Sequence, residues 1–188
     1  LARMLQDRLG VHCSLGNDAN AAALGEWKYG AGQGCNDLLV VTLGTGLGSG
    51  IIVDGKLLLG PYGNAGELGH TTLVIDGRMC TCGRKGCLET YVSIRGMRQT
   101  YLDLADSSEP LKAEGVLPIA EQARNGEDAA IQTFRDTARW LSVGLVNAVA
   151  MTVPKRIVLF GGIARNGDLL MGPLKRRFEE DLFYIYHD

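Results

Sequence analysis

The segment from Gly69 to Tyr91, GHTTLVIDGRMCTCGRKGCLETY, limits what this chain can fold into more than any other, because it places three cysteines and a histidine within eighteen positions. Cys80, Cys82 and Cys87 stand as C-x-C-x4-C, Gly83 and Gly86 let the backbone fold tightly back, and His70 lies ten residues upstream of the first cysteine. Three thiolates and an imidazole around a d¹⁰ ion make a closed, tetrahedral, structural zinc site. Such a site has no open position for a metal-bound water, which argues against hydrolytic zinc chemistry. The alternative is three buried free cysteines and a satisfied histidine. The chain has five cysteines, an odd number with most of them crowded together. That suits a metal site in a reducing compartment better than a disulfide framework. Cys13 and Cys35 lie outside the segment and are expected to serve packing.

Around that segment the chain has the composition of one globular domain: 188 residues, 46% hydrophobic and 21% charged. Nineteen basic residues against twenty-one acidic ones give a net charge of −2, with no block of like charge to track a phosphodiester backbone or an anionic membrane. The most apolar stretch, LSVGLVNAVAMTV, is interrupted by Asn147 and too short to span a bilayer. No cationic start followed by an apolar run and a cleavage site opens the sequence. A cytoplasmic protein is expected. The opening has no initiator methionine and is already in helical rhythm at Leu1, Met4, Leu5 and Leu9, and the sequence closes just after a helix-like run. A piece of a longer protein is expected.

The hydrophobic period alternates between strand and helix. Residues 1 to 9 read as the end of a helix, VHCSLG as a short strand, and DANAAALGEWKYG as an alanine-rich helix capped by Asp18 and ended by Gly30. DLLVVTLGTGLGSGIIVDGKLLLG reads as two β-rich runs around a glycine turn, with a DG turn leading into a third strand. From Val92 to about Gly126, breaks at DSSEP and GVLP predict short helices joined by surface loops. Ala130, Phe134, Ala138, Leu141, Leu145 and Val149 then fall close to a helical stripe, which predicts the longest helix, ended by Pro154. RIVLF is expected as a buried strand, GG as its exit turn, and GDLLMGPLKRRFEEDL as a helix with Gly and Pro near its start. The class is α/β with a mixed sheet.

Two short stretches carry candidate chemistry. GTGLGSG, residues 44 to 50, runs from one strand into another, whereas a dinucleotide-binding loop must run from a strand into a helix. A β-hairpin is therefore expected. Its backbone N–H groups can turn together toward an anion, or its glycines can serve their φ angles alone. In GNDAN, Asp18 is either a helix cap or a carboxylate held at a helix start, able to take a proton from an attacking hydroxyl.

NDANAAALGE, GTGLGSGII, NAGELGH and CTCGRKGCLE, in that order, resemble the ROK family of bacterial sugar kinases, repressors and open reading frames. The resemblance runs from about Leu15 through IVLFGG and is strongest to the C-terminal part of a ROK glucokinase. Its most specific part is the E-x-G-H element followed by C-x-C-G-x-x-G-C-x-E. Ser49 stands where the family usually has another glycine, and the family's early Asp-Gly-Gly-Thr phosphate loop has no counterpart in this sequence.

The resemblance implies the actin-like, ribonuclease-H-like ATPase fold, with residues 1–30 as the end of the first lobe and connecting helix and 31–188 as the second lobe. It implies Asp18 as general base for a sugar 6-hydroxyl attacking the γ-phosphate of ATP. Asn17, Glu67, His70 and Glu89 become sugar ligands. Gly44, Thr45, Gly46 and Gly48 become the second phosphate loop, and Gly161 and Gly162 part of the adenosine site. His70, Cys80, Cys82 and Cys87 would hold a structural Zn²⁺ that closes a loop carrying Glu67 and His70 at one end and Glu89 at the other. Mg²⁺ accompanies ATP, with no ligand assigned to it. The expected partners are a hexose, glucose first, and ATP, within a homodimer and without membrane or nucleic acid contacts through this segment. The same domain serves ROK repressors as a sugar sensor, and that is the alternative; a fragment that only dimerises and binds zinc is the blander one.

Overall fold

Six apolar or β-branched residues, LLVVTL, lead into the glycine turn and form β1 (Leu38–Leu43); the turn returns the chain as β2 (Leu47–Val53), antiparallel, with Leu43 opposite Leu47. The Asp54–Gly55 turn, both residues at positive φ, delivers β3 (Lys56–Leu57). The computed structural model describes residues 1–106 and 115–186. Within it one mixed sheet has the order β3-β2-β1-β4, where β4 (Arg156–Phe160) joins β1 in parallel. Central β1 is buried along almost its whole length. The expectation of a buried strand for RIVLF is corrected: β4 is hydrogen-bonded on its β1 side, its ends are exposed and its middle three residues are half-buried.

One face of the sheet carries α2 (Asp18–Tyr29). Close approach requires small residues on both sides: a β-carbon on Gly48 would stand 2.7 Å from that of Ala19, and one on Gly50 would collide with that of Ala23. The alanines of NDANAAALGE and the glycines of GTGLGSG are thus two halves of one helix-on-hairpin contact, which fixes the start of α2 over the turn. Ala23, Leu38, Val40 and Ile52 make the small core between them.

The other face carries the larger core. The expected stripe of Ala130, Phe134, Ala138, Leu141, Leu145 and Val149 is buried along α6 (Asp128–Thr152), which packs against α7 (Asp168–Asp181) and α4 (Ile94–Leu104). Helix α6 ends with Val153 in the left-handed region, directly before Pro154. A residue preceding proline is disfavoured in the α conformation, and the proline has no N–H to continue the ladder. The short α3 (Glu89–Val92) and α5 (Leu117–Arg124) complete this layer. The predicted break at DSSEP begins at Asp106, the last residue described before 115, and its other residues lie outside the described ones. Pro173 lies inside α7 rather than at its first turn.

The strand expected at VHCSLG is not formed. Residues 11–16 are irregular and pair with no strand of the described sheet, and Val11 and Leu15 are exposed. A short β-prone run has no hydrogen-bonded stability without a neighbour. Preceding it, α1 (Ala2–Leu9) ends at Gly10 in the left-handed conformation. No described helix is long and apolar enough to cross a membrane. Of the two cysteines assigned to packing, Cys35 is buried and Cys13 is half-exposed.

Candidate active site and metal cluster

The start of α2 settles how Asp18 is used locally. Asn17, not Asp18, is the N-cap: its backbone is extended and its Oδ1 accepts from the Asn20 amide at 3.1 Å. Asp18 is the first helical residue, is exposed, and its Oδ1 accepts from the Ala19 amide at 2.9 Å. The reading of Asp18 as cap is corrected. Because the cap role falls to its neighbour, the Asp18 carboxylate stands in the positive field of a helix N-terminus without being consumed by the cap.

Asp18 opens on a cleft of about 420 Å³. Its walls bring together Asn17, Asp18, Glu67 and Glu89 with the turn residues Gly44, Thr45, Gly46 and Gly48, and with Gly161. These come from distant stretches of sequence: the hairpin supplies the floor, α2 one wall, the 65–67 segment and α3 the others. Two expected members are not on the wall. Gly162 follows Gly161 outside the lining, and His70 faces the cysteines instead. Gly161 itself has φ of +111°, and a β-carbon there would collide with the Leu43 carbonyl oxygen, so the β4 exit lies directly on the end of β1. Thr42, which the sequence reading passed over as one more strand residue, lines the cleft and accepts from the Gly48 amide through Oγ1 at 3.2 Å. Its signal was a hydroxyl in the run LLVVTL, two residues before the turn.

The hairpin is held from two sides. Ser49, buried where a further glycine was expected, donates its hydroxyl to the Gly66 carbonyl. A β-carbon on Gly69 would collide with the Leu47 carbonyl oxygen. On the other side Glu89 Oε2 accepts from the Leu47 amide at 3.2 Å, and Ile94 N donates to the Gly44 carbonyl at 2.9 Å. The Ser49 departure therefore ties the turn to the segment bearing Glu67.

Behind Glu67 and Glu89 the four metal candidates converge. One ligand atom each from His70, Cys80, Cys82 and Cys87 falls within 4.8 Å of all the others. Cys80 Sγ lies 3.7 Å from His70 Nδ1, and Cys82 Sγ 3.6 Å from Cys87 Sγ. Zn–S bonds of about 2.3 Å and Zn–N bonds of about 2.0 Å set tetrahedral edges of roughly 3.5–3.8 Å. These two edges fit, and so does the soft donor set. The hairpin that carries the cysteines is closed by bridges between Met79 and Lys85 and between Thr72 and Cys87, with Gly83 and Gly86 at positive φ in its turns.

The thiols differ in acidity. The Arg84 backbone amide draws exposed Cys82 down to about 6, with Cys80 and Cys87 also donating to it, whereas burial and the neighbouring thiols push Cys87 up to about 12. A bound dication is what would let several of these thiols ionise together. In its thiol form Cys80 also donates to Glu89 Oε1 at 3.6 Å, so cluster and cleft share a carboxylate.

Arg78, beside the cluster, is a second residue that sequence reading did not single out. Its Nη1 donates to the carbonyls of Thr90 and Gly96 at 3.2 and 3.1 Å and to Thr100 Oγ1 at 3.0 Å, and its Nη2 pairs with Asp103 at 3.0 Å. The guanidinium also lies over the Tyr91 ring at 4.9 Å and near the Trp140 ring at 5.8 Å.

A mixed sheet whose central hairpin floors an acidic cleft, with helices on both faces, is the architecture of the actin-like ATPase fold, which the matching structures of a ROK glucokinase and a ROK hexokinase share. The family model for the ROK family matches residues 1–185, and the chain belongs to that family. It is 35% identical over 192 residues to the glucokinase of Streptomyces coelicolor, covering 95% of this chain and 60% of that protein. The crystal structure of a ROK family glucokinase from Streptomyces griseus in complex with glucose and AMPPNP superposes with a TM-score of 0.87 at 36% identity, over 96% of this chain and 62% of that one. The Escherichia coli DNA-binding transcriptional dual regulator NagC is 33% identical over 175 residues, covering 91% of this chain and 43% of NagC. The chain thus spans less than two thirds of each of these relatives.

Proposed function

We propose that the protein containing this chain is an ATP-dependent hexose kinase acting on the 6-hydroxyl, with glucose as the preferred sugar. The observation that carries this reading is Asp18: a carboxylate at the first residue of α2, relieved of capping by Asn17, facing a cleft floored by backbone amides of a glycine hairpin. In the reaction Asp18 accepts the proton of the sugar hydroxyl as its oxygen attacks the γ-phosphorus. The bond from that phosphorus to the bridging oxygen breaks, and ADP leaves with the electron pair. Phosphoryl transfer asks mainly for positioning and charge neutralisation, which fits a glycine turn offering N–H groups to phosphate and Mg²⁺ accompanying the nucleotide. Asn17, Glu67 and Glu89 grip sugar hydroxyls in pairs; a sugar lacking a hydroxyl leaves a polar group unpaired, which is the basis of selectivity. His70 stands on the metal side, outside the cleft lining; coordination there would fix its tautomer and leave the other nitrogen as the donor through which it serves the sugar.

A structural Zn²⁺ is the group that His70, Cys80, Cys82 and Cys87 fit; bound there it would neutralise the thiolates and cross-link the two ends of the loop. A metal-bound thiolate has no proton to give Glu89, which leaves Glu89 Oε1 to accept from a hydroxyl. We assign residues 1–30 to the end of the first lobe and its connecting helix and 31–188 to the second lobe, and expect a homodimer in the cytoplasm.

The likeness to NagC favours a second reading, a sugar-sensing domain of a repressor. Kinetics of Asp18→Asn in the intact protein separate the two. A kinase loses kcat by about 10² or more with sugar affinity roughly kept, since the base goes and the hydrogen-bonding shape stays. An intact wild-type protein that binds glucose but transfers no phosphate from ATP refutes the kinase reading, and equal losses of binding and rate in the variant refute the role of Asp18.

A further inference from the structure

Helix α3, which begins with Glu89, has four residues, Glu89–Val92. A helix that short does not hold its shape through its own hydrogen bonds, because nucleation is unfavourable and propagation never compensates for it. Its orientation, and with it the aim of the Glu89 carboxylate into the cleft, must come from outside. At its N-terminal end stands Cys87, a member of the metal cluster, two residues before Glu89. At its C-terminal end its orphan carbonyls need donors. Arg78 supplies one: Nη1 donates to the Thr90 carbonyl, the residue next to Glu89, and in the same fork to Gly96 and Thr100 of α4. Its backbone amide donates to the Tyr91 hydroxyl at 3.0 Å, and its guanidinium stacks on the Tyr91 ring, itself 4.8 Å from the Trp140 ring of α6. The Arg78 side chain is three-quarters buried, at 25% exposure.

We infer that Arg78 is a positioning residue for Glu89: a second anchor of α3, made by groups other than the cluster's ligands, that holds Thr90 and Tyr91 within the helix while Cys87 holds the chain ahead of it. The cysteine loop is thereby docked twice. A cation at His70, Cys80, Cys82 and Cys87 closes its sulfur end, and Arg78, two residues ahead of Cys80, bolts its other strand to α3, α4 and α6. Neither fastening substitutes for the other. A lysine cannot replace Arg78, since an ammonium lacks the planar fork that reaches two carbonyls and a hydroxyl at once and stacks on the ring.

The inference rests on Glu89 gripping sugar in the proposed kinase, and the test separates the two. Wild type, Arg78→Ala and Arg78→Lys of the intact protein, each loaded with zinc, are titrated with glucose and with AMPPNP, assayed for KM and kcat, and followed by amide hydrogen exchange. Expected for Arg78→Ala is a glucose Kd and KM raised about tenfold, kcat and AMPPNP affinity within about twofold of wild type, and faster exchange at Thr90, Tyr91 and Val92. Arg78→Lys, the variant that keeps the charge and stem should the alanine protein not fold, shifts glucose in the same direction by about threefold. Unchanged glucose affinity in a folded lysine variant overturns the inference, as does an equal fall in glucose and AMPPNP affinity, which would make Arg78 a general fold stabiliser. If the wild-type protein binds no glucose, the kinase reading fails while the exchange rates still decide whether Arg78 anchors α3.

Discussion

Cys82 and Cys87 show how far two residues five apart can differ in chemistry when one is on the surface and the other under it. Cys82 is exposed and its thiol is drawn down to about 6 by the Arg84 amide; Cys87 is buried and pushed up to about 12. The thiolate is the nucleophile, so alkylation rate follows the thiolate fraction. In the reduced, metal-free protein, iodoacetamide should modify Cys82 first, with a rate that climbs through about pH 6 and levels off above it, while Cys87 stays unmodified at neutral pH. Peptide mapping across a pH series measures this, and added Zn²⁺ should protect Cys82 if the cluster binds it. A Cys82 that reacts only above pH 8 would contradict the assignment. Asn17 and Asp18 make the same point in another form: of two adjacent polar residues at a helix start, the backbone geometry rather than residue type decides that Asn17 is the cap, while Asp18 accepts from the Ala19 amide.

At the level of elements, the contact between α2 and the hairpin is where packing and function meet, because it sets the distance from Asp18 to the glycine turn. A β-carbon at Gly50 has no room beside Ala23. Gly50→Ala should therefore be net destabilising, because overpacking a tight site costs about 1–3 kcal/mol against the roughly 0.5–1 kcal/mol gained by removing a glycine from a strand. Ala23→Gly in the same protein should return part of the loss, since it removes the clashing atom. Denaturant midpoints of the two single variants and the double variant test this; additive losses would show that the two residues do not meet. The hairpin itself was legible in the sequence, through the run from strand to glycines to strand. Its close seat under α2 was legible only as two separate compositional oddities, an alanine-rich helix and a glycine-rich turn, because the complementarity exists only once they are stacked.

For the whole molecule the cluster behind the cleft has the longest reach. It joins the loop after Glu67 to the helix that begins at Glu89, so removing the metal should separate two walls of the cleft. Calorimetry on the intact protein, with zinc and after chelation, should show glucose affinity falling by about tenfold or more while AMPPNP affinity changes less. The hydrogen bond from Leu47 to Glu89 is one route by which some loss reaches the hairpin, beside those from Ser49 to Gly66 and from Ile94 to Gly44. Glucose affinity unchanged in a demonstrably metal-free protein would break the link. Equal loss of both ligands would mean that the ion holds the whole domain folded.

What the sequence determined by itself is local or compositional. The Cys/His spacing specified four side chains that the fold brings together, the glycine run a turn, the apolar stripe from Ala130 to Val149 a buried helix, and the ordered motifs a family. These are read directly because each depends on residues close in the chain or on one repeating period. Only the tertiary structure decided that Asn17 rather than Asp18 caps α2, that β4 is half-exposed, that VHCSLG pairs with no strand of the described sheet, and that His70 lies outside the lining of the cleft. It alone made Arg78 visible, a residue with no motif around it, whose partners at 90, 96, 100 and 103 are brought to it by the folding of two helices. The physical reason is common to all of them: a hydrogen bond, a ring face or a neighbouring strand is supplied by whatever stands nearby in space, and the sequence states that neighbour's identity without stating its position.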